Sequence, residues 1–130
     1  MNNPIFLRRV LALDSASCAI IGLMLCLGAG PLSTLLGLGE GLLFGAGALL
    51  LPLAAFIAWL ASRPSPPSPL VWLVIAGNVA WSVESFLLIS AEGARITALG
   101  TVFVAGQALA VLAITALEYA GLRRMRARAA

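Results

Sequence analysis

Apolar residues in this chain fall into four long blocks, at about residues 6–28, 41–61, 70–90 and 96–119. Short polar or glycine- and proline-rich breaks separate them. An apolar run of about 20 residues reaches across a hydrocarbon core of about 30 Å. Each block therefore predicts one transmembrane span. Hydrocarbon offers no partner to backbone N–H and C=O groups, so the spans must be helices. Segments of about ten alternating residues, the mark of a membrane barrel, are missing. Asn3 suits an N-cap and Pro4 a first helical position for the first span, as do Ser68 and Pro69 for the third. The expected fold is all-α: a four-helix transmembrane bundle forming a single domain over residues 1–130, with an arginine-rich tail at 120–130.

Composition agrees with the pattern. Of the 130 residues, 62% are hydrophobic and 10% charged, against about 25% charged in soluble domains. A soluble globular fold is excluded, and so is disorder, which needs low hydrophobicity. Histidine is absent. That removes the commonest metal ligand and the usual general base. With no nucleophile–base pair and no metal constellation in the sequence, the expectation is a protein that is not an enzyme and carries no cofactor. Cys18 and Cys26 are eight residues apart, a helical rise of about 12 Å, beyond disulfide reach.

Charge placement sets the expected orientation. All eight basic residues are arginines. Four spans put both termini and the middle linker on one side, with Arg8, Arg9, Arg63, Arg123, Arg124, Arg126 and Arg128; the other side has Arg95. The positive-inside rule then predicts an inner (plasma) membrane protein with cytoplasmic termini. Trp59 and Trp72 flank the linker as an interfacial belt would. The tail arginines Arg123, Arg124, Arg126 and Arg128 are candidates for anionic lipid head groups; nucleic acid is not an expected partner. The first span also has signal-peptide features, but Asp14 interrupts its apolar stretch. Residues 28–40 are apolar but too short to span. They predict a short helix from Pro31, lying on the outer surface over the bundle end.

Ionisable groups inside a span are costly and usually face the bundle interior. Counted from the inner end at about 1.5 Å per residue, Asp14 lies about 6 Å inside, Asn78 about 12 Å, Gln107 about 18 Å and Glu84 about 21 Å. With Trp81, whose N–H needs a partner at this depth, they form a candidate stepped path for a substrate or ion. Each has a structural alternative. Asn78 and Gln107 suit interhelical hydrogen bonding. Asp14 can pair with Arg9 or the tail, Glu84 with Arg95, and Glu118 with Arg123 or Arg124.

Gly37, Gly41 and Gly45 recur every four residues, a small-residue pattern for close helix packing within the bundle or between protomers. Pro52 predicts a bend in the second span. Four helices enclose little space, so a homo-oligomer, most simply a dimer, is expected. The functional expectation is a small bacterial-type membrane transporter or channel with a polar path. The alternatives are a non-catalytic accessory subunit of a larger membrane complex and a lipid- or quinone-binding membrane protein.

Overall fold

The computed structural model describes residues 5–129, with side chains as far as Met125. Asn3 and Pro4 lie outside the described residues, and the side chains of Arg126 and Arg128 outside the described side chains. The element order is α1 (Ile5–Leu27), α2 (Ala29–Leu36), α3 (Glu40–Ala61), α4 (Ser68–Glu92), a three-residue turn at Gly93–Arg95, and α5 (Ala98–Ala129). Four of these helices are long and apolar enough to cross a membrane: α1, α3, α4 and α5. The short helix starts at Ala29, two residues before the expected Pro31.

Helix α1 packs along the length of α3, and α4 along α5. The two hairpins join mainly through α1 against α5, while α3 and α4 touch only briefly. The apolar interior is therefore in two parts. Leu7, Leu11, Ile57, Leu60, Val71 and Leu122 fill the end where α1 begins and α5 finishes. Leu25, Ala29, Leu36, Leu43, Leu50 and Val104 fill the opposite end. Between them lies a layer of buried polar side chains, Asp14, Ser15, Ser82, Ser85, Thr115 and Glu118. The serines and Thr115 donate to backbone carbonyls, such as Ser15 Oγ to Ala54 O at 2.8 Å. A hydroxyl satisfied in this way costs little inside a bundle.

The three glycines of the pattern divide: Gly37 makes a close approach within the bundle, and Gly41 and Gly45 do not. A Cβ added at Gly41 or Gly45 would meet nothing within 4 Å, and both residues are exposed. They do not pack inside the bundle, because α3 turns another face inward. The close approach of α1 and α3 instead uses Gly22 and Gly47. A Cβ at Gly47 would lie 2.7 Å from the Gly22 carbonyl oxygen and 2.9 Å from the Leu25 Cβ. Gly37 ends α2 with φ +71°, a left-handed conformation that glycine adopts without strain. Its missing Cβ also makes room for the Arg95 carbonyl. That contact brings the α4–α5 turn against α2. Thr97 fastens it, donating from N to Leu36 O at 3.0 Å and from Oγ1 to Leu35 O at 2.7 Å. Pro52 is exposed, and α3 continues through it.

At the end bearing the termini, arginines lie over aromatic rings. Arg63 sits 5.2 Å from the Trp59 ring centroid, Arg123 5.7 Å from Tyr119 and Arg124 4.7 Å from Phe6. Stacking of this kind holds a guanidinium while its N–H edge stays available.

Candidate functional site

The polar layer resolves into two linked groups. The first joins three helices through one carboxamide. Asn78 Nδ2 on α4 donates to Asp14 Oδ2 on α1 at 2.9 Å and to Glu118 Oε1 on α5 at 3.0 Å. An amide nitrogen carries two hydrogens, so both are used, one on each carboxyl. Asp14 is 2% exposed and Glu118 is fully buried. The Cys18 thiol lies 3.7 Å from Asp14 Oδ1, one turn along α1. Glu118 Oε2 has no hydrogen-bond partner.

The depth count from the sequence is corrected here. The 2.9 Å hydrogen bond from Asn78 Nδ2 to Asp14 Oδ2 puts the two residues at one level. Apolar boundaries, which the count used, do not mark equal heights on different helices. Glu118 is corrected too. Helix α5 runs on to Ala129 rather than stopping near Tyr119. Glu118 is thereby about two turns from Met125 and inside the bundle. It does not pair with Arg123 or Arg124, which stack on Tyr119 and Phe6. Arg9 is exposed, and Asp14 meets Asn78 instead. Among the described residues the one ion pair is Arg95 with Glu92, at 3.4 Å. Arg95 is thus engaged away from Glu84.

The second group lies further toward α2. Trp81 Nε1 donates to Gln107 Oε1 at 2.8 Å. Gln107 Nε2 donates to Ser85 Oγ at 3.0 Å and to Val104 O at 2.8 Å. Ser85 Oγ donates to Trp81 O at 2.8 Å, which closes the ring between α4 and α5. Ser82, between the two groups, donates to Asn78 O and Ala108 O. Glu84 belongs to neither group. It is exposed on the outer face of α4, one position round from Ser85. A residue next in sequence is turned about 100° around the axis, and that turn takes Glu84 out of the bundle.

Because α3 and α4 separate, a fissure opens between them. Its half nearer α2 is a cavity of about 480 Å³ that includes Gly41, Gly45, Trp81, Glu84, Phe103 and Gln107 in its walls. Its other half, about 270 Å³, reaches Asp14 and Asn78 between Leu53, Phe56, Leu73 and Gly77. Ile21, Trp81 and Gln107 border both halves. Among the described residues no arginine lines either one. Among the described residues no group of three or more cysteine, aspartate or glutamate side chains has a metal-holding arrangement.

Of the residues that the sequence marks as a path, the structure brings Asp14 to Asn78 and Trp81 to Gln107 as two levels and leaves Glu84 at the rim. The residue left out of that path is Glu118, for which the sequence suggests an arginine partner. The signal for it was present: it lies 11 residues from Gln107, three helical turns, and so on the same stripe of α5. Comparison of the chain with protein-family models, curated proteins and solved structures gives no match.

Proposed function

We propose that the protein is a small membrane transporter or channel that uses the Asp14–Asn78–Glu118 cluster as its intramembrane binding site for a positive charge. One observation carries this reading. Two carboxyl groups are buried on a single amide donor, with no arginine in contact among the described residues and with one oxygen unpartnered. Isolated carboxylates are expensive to bury, and two side by side repel each other. The cluster therefore calls for at least one positive charge, the smallest being a proton, which removes the repulsion between the pair. The Trp81–Gln107–Ser85 ring forms a second polar level on the way to α2. The arginine distribution supports termini on the cytoplasmic side of the plasma membrane and α2 on the outer side.

The test is proton movement in liposomes. Vesicles holding the protein and the pH dye pyranine are given a pH gradient and a potassium–valinomycin shunt. The gradient should collapse faster than in protein-free vesicles. Asp14→Asn and Glu118→Gln should each return the rate toward that of empty vesicles. Equal rates for wild type and empty vesicles would reject the reading.

The exposed Gly41, Gly45 and Glu84 favour a second reading, in which this face meets a further helix, either of another copy or of a larger membrane complex. Glycines allow backbones to approach closely, which is what drives helix association in lipid. Gly45→Leu should then convert a dimer to monomers in mild detergent, with the thermal midpoint of the monomer unchanged. Sedimentation velocity reads the mass. A monomeric wild type removes the homo-oligomer, and co-purification of another membrane protein would favour the accessory role.

A further inference from the structure

The transport reading leaves open what enters the site, and the fissure bears on this. It lies between α3 and α4, which touch only briefly, so a molecule dissolved in the bilayer has a route to it between two helices. The walls near the cluster are apolar and aromatic, through Leu53, Phe56, Leu73 and Trp81. The floor is acidic: Asp14 lines it, and Glu118 stands behind Asn78 with an oxygen that has no partner. Glu84 adds a third carboxyl at the rim of the other half. Among the described residues no basic side chain lines either half. Together the two halves are of the size that takes a drug-like molecule, about 300–1,000 Å³.

We infer that the α3–α4 fissure is a lateral binding site for an amphipathic organic cation, with its charged head against Asp14 and its apolar body along Phe56 and Trp81. The assignment rests on the transport reading, for which it names the class of cargo. A neutral amphiphile such as a quinone would fill the same walls but leave the carboxyls without a counter-charge. An anionic lipid head group is repelled by them. Aromatic faces beside the head favour a quaternary ammonium in particular. Glu118 does not line the cavity. It acts through Asn78, one of whose amide hydrogens it holds, and adds to the negative charge beside the cation head.

Benzyltrimethylammonium is a suitable probe, because neopentylbenzene is its neutral isostere. Binding of the radiolabelled cation is measured by equilibrium dialysis on the full chain in maltoside micelles, which carry no charge. Saturable binding of one cation per chain is expected, with neopentylbenzene at the same micellar mole fraction displacing at least tenfold less well. This comparison uses wild type alone, so it holds even where a variant fails to fold. Asp14→Asn should weaken binding by tenfold or more and Glu118→Gln by a smaller factor, while Glu92→Gln, in the turn after α4, should leave it unchanged. The inference is overturned by an absence of saturable binding, by equal displacement by the neutral isostere, or by equal affinity in wild type and a folded Asp14→Asn. Proton flux without cation binding would discard the cargo and keep the transport reading. Cation binding without flux would keep the site and discard transport.

Discussion

Replacing Asn78 by leucine is expected to lower the stability of the bundle by about 3 kcal/mol, the scale of stranding a buried charged group. Leucine has similar volume, so packing changes little and the loss is electrostatic. Asn78 supplies the hydrogen bond to each of two buried carboxyls. Without it, Asp14 is left with the weak thiol contact from Cys18 and the neighbouring Glu118 carboxyl, and Glu118 loses its amide donor. Unfolding in a mixed-micelle denaturant titration, followed by circular dichroism, measures the change. The double variants decide the cause. Adding Asp14→Asn or Glu118→Gln to Asn78→Leu should recover part of the loss, because one carboxyl of the stranded pair is gone. If Asn78→Leu and its doubles unfold alike, the cluster is not what Asn78 stabilises. In most membrane bundles one interhelical hydrogen bond is worth about 0.6 kcal/mol. A cost near that value would show that water or lipid head groups replace the amide.

Gly47→Leu should be the most damaging single change on α3. A Cβ alone would stand 2.7 Å from the Gly22 carbonyl oxygen and 2.9 Å from Cys26 Sγ. The nearest obstacle is backbone, which cannot rotate away. Helices α1 and α3 would have to separate along their shared face, where Ser15 also donates to Ala54 O. Overpacking of well-filled interiors costs about 1–3 kcal/mol, and a leucine set against a carbonyl belongs at the upper end. The thermal midpoint in detergent should fall well below that of Gly45→Leu, two residues away on the same helix, where an added Cβ meets nothing within 4 Å. Equal midpoints would mean that the α1–α3 contact is looser than its geometry.

The contrast between those two glycines is also where sequence reading reached its end. Gly41 and Gly45 have the familiar spacing, yet spacing names a stripe on a helix and not the direction it faces. In soluble helices a polar side marks the outside. In α3 nearly every side chain is apolar, so no such contrast exists. The same holds for Glu84 and Ser85 on α4. They are neighbours in sequence, but one lies at the rim of the fissure and the other in a hydrogen-bonded ring. For Glu118 the arginines that follow it suggest an ion pair with Arg123 or Arg124. The helix continues past them, and the carboxyl lies inside.

By itself, the sequence determined four apolar helices long enough to cross a bilayer, because length and hydropathy alone decide whether a segment suits lipid. It determined that the arginines gather at one end, and that Asp14, Asn78, Trp81 and Gln107 are polar groups in apolar segments that need partners. Partner choice belonged to the tertiary structure. Which helices lie side by side, and at what relative height, depends on close approach at Gly22, Gly47 and Gly100 and on the fastening of α2 by Thr97. Those contacts bring three helices to one level at Asn78 and separate α3 from α4. The paired carboxyls and the fissure beside them follow from that arrangement, because both depend on distances between segments that the order of residues along one segment does not encode.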